Sequence, residues 1–294
     1  MAAIEANGIT LEYEETGDPS APVLLMIAGI GCQLIYWPPA LITHLADRGL
    51  RVIVFDSRDV GLSTKLEALG LPDLKTEILK NMQGQKVDAP YHLTDMAADT
   101  IGLLDALGIG RAHILGHSLG GMIGQIVSAS YPDRCLSFTS ISSTSGNRSL
   151  PPGKPEALQA LLTPPADPTD RESVIEKALW SRPALGSPAY PASEDEIRAR
   201  AGAAFDRCLY PIGFGRQMLA SMANGSRVEL LKTIITPALV IHGKEDPLIP
   251  VESGRDTAAH ISGARMAEID GMGHDLPSQL SAHFADLIAG HCLR

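Results

Sequence analysis

Ser118, Asp246 and His274 are far apart in this chain, and together they are the side chains that make an alcohol reactive in neutral water. A serine hydroxyl is a poor nucleophile near pH 7. It needs a base within hydrogen-bond reach and an acid that holds the base in the right tautomer. Ser118 lies in Gly116-His117-Ser118-Leu119-Gly120, with an apolar run at 112–115 before it and helix-compatible residues at 122–129 after it. That pattern predicts a strand, a sharp turn and a helix. Gly116 and Gly120 remove the side chains that would collide in such a turn. The helix that follows aims its first N–H groups at any negative charge forming nearby. With 28 Gly in 294 residues the pentapeptide alone is weak evidence, so its neighbours carry the reading.

Of the nine histidines, His274 is the expected base, because it ends Asp270-Gly271-Met272-Gly273-His274 after a predicted strand at 265–269. His117 sits inside the turn and lines the pocket, but its ring does not bend back comfortably onto the adjacent hydroxyl. His242 ends a strand and reads as packed, and His44, His260, His283 and His291 fall on predicted helices. For the acid, Asp246 competes with Glu245. Pro247 holds the residue before it in extended geometry, which favours Asp246. Acyl transfer also needs donors for an oxyanion. The backbone N–H of Leu119 is one candidate, and that of Ile30, in the flexible Gly29-Ile30-Gly31 loop, is the other.

Placing these residues together requires strands that end at one rim. Strands are predicted at 8–17, 22–28, 51–55, 111–115, 135–142, 237–241 and 265–269. Helices are predicted between them: one ending near Arg48, one at 95–107 capped by Thr94, one after Ser118, one at 251–261 and one at 276–289. Long crossovers of this kind imply an α/β fold with a mostly parallel sheet covered on both faces, and chemistry in such folds gathers past the carboxyl ends of the strands. Residues 145–227 break the alternation. They are rich in proline and contain no buried-strand run, so they read as a helical lid inserted into a core of 1–144 and 228–294. Within the lid Trp180, Phe205 and Phe214 are expected to bind substrate with Gly29 and His117, and Leu179, Leu185 and Met218 are further apolar candidates. Asp56-Ser57-Arg58-Asp59 reads as an Asp–Arg clamp that fixes its own loop.

The net charge of −10, from 24 basic and 34 acidic residues, argues against nucleic acid or an anionic membrane as partner. The first residues have neither the basic flank nor the apolar core of a signal peptide, and no apolar run is long enough to cross a bilayer. Cys32, Cys135, Cys208 and Cys292 show neither metal nor disulfide spacing. The expectation is a cytoplasmic monomer or homodimer with free thiols that acts on a small molecule and needs no metal or organic cofactor.

The chain resembles the α/β-hydrolase superfamily over nearly its whole length. The resemblance is carried by Gly116-His117-Ser118-Leu119-Gly120, the 56–63 turn, His242-Gly243-Lys244-Glu245-Asp246-Pro247 and Gly271-Met272-Gly273-His274, in the family's order of nucleophile, acid and base. Trp37-Pro38, Arg58-Asp59-x-Gly61-x-Ser63-Thr64 and Gly271-Met272-Gly273-His274-Asp275-Leu276-Pro277 look like the aclacinomycin methylesterase group. Many relatives have His-Gly ahead of the oxyanion residue where this chain has Ala28-Gly29. The resemblance implies a carboxylic ester hydrolase working through an acyl-enzyme, with methyl esters of bulky or aromatic acids as substrates. A C–C bond hydrolase or a cofactor-free perhydrolase would use the same triad, and a non-catalytic small-molecule receptor would use the same fold. Haloalkane dehalogenases and epoxide hydrolases would have an aspartate in place of Ser118.

Overall fold

Hydrophobic strands and amphipathic helices alternate along the chain, and the computed structural model, which describes residues 2–294, assembles them around one eight-stranded sheet. The first half contributes β1 (Ala2–Ala6), β2 (Ile9–Thr16), β3 (Val23–Ile27), α1 (Pro39–Asp47), β4 (Arg51–Phe55), α2 (Leu74–Met82), α3 (Leu93–Ala106), β5 (Ala112–His117), α4 (Leu119–Ser130) and β6 (Cys135–Ile141). Five helices follow without an intervening strand: α5 (Pro155–Leu162), α6 (Arg171–Leu185), α7 (Glu194–Cys208), α8 (Pro211–Asn224) and α9 (Val228–Leu231). The chain then returns to the sheet with β7 (Ala238–Gly243), α10 (Val251–His260), β8 (Arg265–Ile269) and α11 (Ser281–Cys292).

The strand order is β1-β2-β4-β3-β5-β6-β7-β8. β1 and β2 pair antiparallel at one edge, and the pairings from β4 through β8 are all parallel. Every residue of β3, β5 and β7 is buried. Successive side chains of a strand point to opposite faces, so Leu25 and Ile27 of β3 enter the core layer shared with α3 and α4, while Leu24 and Met26 enter the layer shared with α1 and α11.

The expected mostly parallel, helix-covered sheet is therefore present. The pattern did not announce β1, which has one buried residue in five and is an edge strand held by pairing with β2. Helix α3 starts at Leu93, before the expected cap at Thr94. Its N-cap is His92, whose N–H donates to the Asp95 carboxylate. The last helix starts at Ser281 and not at 276, because Pro277 stands in extended backbone and a short 3-10 turn precedes the helix.

Candidate active site

Ser118 stands between β5 and α4 with φ of 54°, a left-handed backbone uncommon for residues other than glycine. The turn closes because its flanks have no side chains. A Cβ on Gly116 would strike the Gly120 carbonyl, and one on Gly120 would strike the Ile27 carbonyl. Ser118 N–H donates to Ile141 O at 2.9 Å, and Ser143 Oγ donates to Ser118 O at 2.7 Å. The strain is thus held by neighbouring strand ends, as a fixed nucleophile requires.

His274 arrives on the loop after β8 and Asp246 on the loop after β7. His274 Nε2 lies 3.1 Å from Ser118 Oγ, and His274 Nδ1 lies 2.8 Å from Asp246 Oδ2. The other carboxylate oxygen of Asp246 accepts from the N–H groups of Leu248 and Ile249, both at 2.9 Å. Burial by itself would raise the Asp246 pKa. The His274 charge and the hydrogen bonds from His242 and His274 overcome that and hold the carboxyl below its usual range. Glu245 points elsewhere and accepts from the N–H of Gly271. His242 is fully buried, with Nε2 2.8 Å from Ile249 O and 3.5 Å from Asp246 Oδ2. His117 bonds through Nε2 to His274 O at 3.0 Å and stacks on Tyr36. Burial, with the neighbouring His274 adding to it, pushes its pKa down to about 3, so its ring is neutral at ordinary pH.

The loop at Gly29-Ile30-Gly31 passes directly over Ser118. A Cβ on Gly29 would lie 3.3 Å from His117 Nδ1, closer than most side chains tolerate, and in ordinary contact with Ser118 Cβ at 3.5 Å. Leu119 opens α4, so its N–H belongs to the first turn, where no intrahelical acceptor exists.

The segment at residues 22–278 matches the α/β-hydrolase fold family. The chain belongs to that family. It is a hydrolase by the same comparison, since it is 30% identical to the rhodomycin D methylesterases DnrP of Streptomyces peucetius and DauP of Streptomyces sp., each over 98% of this chain and 96% of the relative. Among solved structures, a meta-cleavage product hydrolase from Pseudomonas fluorescens superposes with a TM-score of 0.76 at 20% identity, covering 99% of this chain and 97% of that one. An enol-lactonase from Burkholderia xenovorans superposes with a TM-score of 0.70 at 21% identity, covering 99% and 98%. At such identities the solved structures speak for the fold.

In this α/β-hydrolase a cavity of about 570 Å³ opens above Ser118 and His274. Gly29, Ile30, His117 and Leu119 line it beside Ser118, and Leu185 and Met218 line it as well. Trp180, Phe205 and Phe214 do not line it, which corrects the expectation for all three. On α6 the cavity face is Ala178, Ser181, Arg182 and Leu185, a stripe at helical spacing, and Trp180 projects from the opposite side with 52% of its surface exposed. On α7 the stripe is Ile197, Arg200, Ala201 and Ala204, which leaves Phe205 on the flank. Phe214 of α8 lies behind the floor, against Gly31.

The 56–59 clamp is real, but its partners are not those expected. Arg58 pairs with Asp99 of α3 at 2.5 Å. Asp56 pairs with Arg207 of α7 and Asp59 with Arg216 of α8, each at 2.7 Å and nearly devoid of solvent. The loop's carboxylates therefore fasten the inserted helices. A pair of buried acids three residues apart was the available signal, and it called for cations from outside the loop.

Proposed function

We propose that the protein hydrolyses carboxylic esters through an acyl-enzyme on Ser118. The observation that carries this reading is the continuous relay from Ser118 Oγ through the His274 ring to Asp246, at the floor of a largely apolar cavity. Ser118 Oγ attacks the ester carbonyl as its proton passes to His274 Nε2, and Asp246 stabilises the imidazolium. The N–H groups of Ile30 and Leu119 receive the oxyanion. Collapse of the tetrahedral adduct breaks the C–O bond to the alcohol, which leaves with the proton from His274. Water then gives a proton to His274 and its oxygen to the acyl carbon, releasing the acid and restoring Ser118.

The methylesterase relatives and the cavity support methyl esters of bulky, largely apolar acids as substrates: the cavity holds a ring system, and a methyl alcohol needs little space beside Ser118. Helices α5 to α7 form the lid over that space.

The test is a panel of methyl and nitrophenyl esters of increasing acyl size. The wild type is expected to favour the bulky acids, and Ser118→Ala to lose roughly five to six powers of ten in kcat, on the scale of serine hydrolases. Asp246→Asn should be severely impaired and Glu245→Gln only mildly. Activity surviving in Ser118→Ala, or cleavage of vinylogous 1,5-diketones in preference to every ester, ends the ester reading; the latter result favours C–C hydrolysis.

A further inference from the structure

The loop that supplies the Ile30 N–H has no regular structure of its own, yet its conformation is closely specified. Gly29 O accepts from Cys32 N–H at 3.1 Å, and Gly31 has φ of 64° while Ile30 is not left-handed. That combination is a type II turn, with glycine at the position that needs a positive φ. Rotating the single peptide between Ile30 and Gly31 would turn it into the commoner type I, changing ψ of Ile30 and φ of Gly31 and turning Ile30 O to the side where the Gly31 N–H now points; the loop would lose its tie to α8, and with it the hold on the Ile30 N–H over Ser118.

One side chain opposes that rotation. Gln217, on α8 and 1% exposed, accepts from Gly31 N–H through Oε1 at 2.8 Å and donates from Nε2 to Arg58 O at 3.0 Å. The Arg58 carbonyl requires the NH2 end of the amide, so the oxygen end must face residue 31. After a peptide rotation that oxygen would meet the Ile30 carbonyl and not an N–H, and the amide has no reversed orientation that satisfies both neighbours. Helix α8 is itself held in place, because the adjacent Arg216 pairs with buried Asp59.

We infer that Gln217 is a positioning residue that pins the loop carrying the Ile30 N–H at its next residue, Gly31, and so holds it over Ser118, with an inserted helix completing the catalytic machinery of the core. The inference rests on the proposed role of the Ile30 N–H as an oxyanion donor.

The experiment compares wild type, Gln217→Met and Gln217→Glu. Met keeps the length and loses both hydrogen bonds. Glu keeps the acceptor for Gly31 N–H and loses the donor to Arg58 O. The readouts are kcat and KM on a nitrophenyl ester, inhibition by an arylboronic acid that forms a tetrahedral adduct on Ser118, inhibition by the product carboxylic acid, and the rate of fluorophosphonate labelling of Ser118. Losing a whole oxyanion donor costs about two to three powers of ten, so Gln217→Met, which only misaligns one, is expected to lower kcat roughly ten- to a hundredfold. KM and product inhibition should stay within about threefold, while boronate affinity and labelling fall with kcat. Gln217→Glu should recover part of the loss.

If Gln217→Met keeps wild-type kcat and boronate affinity, or if Gln217→Glu is no better than Gln217→Met, the assignment is wrong. A fall in thermal stability without the split between kcat and KM means Gln217 merely packs, and also overturns it. A wild type that takes up fluorophosphonate on Ser118 but cleaves no ester sinks the ester reading alone, and the labelling rates still decide the role of Gln217.

Discussion

Helix α8 and the group α5 to α7 come from the same inserted stretch, but they are built differently. In α8, seven of 14 residues are buried, including Arg216 and Gln217, and the helix packs on α2 and α3. In α6 only Ile175 is buried and in α7 only Gly202, and these helices pack mainly on each other and on α5. Their ion pairs differ in part: Arg216–Asp59 of α8 is out of solvent, as is the Arg207–Asp56 pair at the end of α7, whereas Arg171–Asp206, between α6 and α7, is about half exposed. A buried ion pair adds little net stability when intact, but removing one partner strands the other in a medium that solvates it poorly. Helix α8 is thus committed to the core along its buried face, while α5 to α7 bury little of their own surface and are tied to the core at a few points, Arg207 of α7 on Asp56 and Arg182 of α6 on Asp275. The part of the insertion that touches the Gly29-Ile30-Gly31 loop is buried against the core, and the part that roofs the cavity is held mainly at its ends.

The strongest way to break this comparison is to disrupt both ion pairs and measure stability. Arg216→Met leaves Asp59 buried without its cation and is expected to cost about 3 to 5 kcal/mol, read as a shift of the denaturant midpoint at constant m-value. Arg171→Met on the exposed pair is expected to leave the midpoint where it was. Equal losses at the two sites would mean that the insertion behaves as one block.

A smaller effect is expected where the roof meets His274. Leu185 O, at the end of α6, accepts from His274 N–H at 2.9 Å, and Ser187 Oγ accepts from Gly273 N–H at 2.9 Å. Arg182 pairs with Asp275, whose other oxygen accepts from Ser187 Oγ at 2.6 Å. Arg182 keeps about a fifth of its side chain in solvent, so the residual Asp275 charge is better tolerated than that of Asp59. Arg182→Gln is therefore expected to cost about 1 kcal/mol in stability, with a several-fold lower kcat/KM because the loop bearing His274 loosens. A stability loss as large as that of Arg216→Met would place α6 with α8.

The same division explains what was legible in the residues alone. The sheet was legible because strands buried on both faces leave continuous apolar runs, as at β3, β5 and β7. The residues of the proposed triad were legible because Ser118 and Asp246 each follow such a run and His274 follows the less buried β8 in the same alternation, and the structure brings the three together. The cavity wall was not legible. Large aromatic residues in α6 to α8 suggested a binding surface, but helical phase decides which side chains face inward, and phase cannot be read where α6 buries one residue of 15. Gln217 and Arg216 were not legible either, since polar residues on a helix read as a solvated face until their partners on the loop at 56–59 are known.

The smallest expected effect tests helical phase directly. Trp180 projects outward from α6, with the Lys177 ammonium 4.8 Å from its ring centre, and an exposed cation–π contact of this kind is worth about 0.5 to 1 kcal/mol. Trp180→Ala should therefore change stability by no more than that and leave KM for every ester unchanged. Leu185 lies five residues further along the same helix on the cavity face, so Leu185→Ala should weaken binding of bulky acyl groups, on the order of tenfold in kcat/KM, with little change for acetyl esters. The contrast depends on α6 presenting the face seen here. If Trp180→Ala raises KM for bulky esters as much as Leu185→Ala does, the helix turns or slides when substrate enters, and the less buried half of the insertion selects the acyl group as well as roofing it.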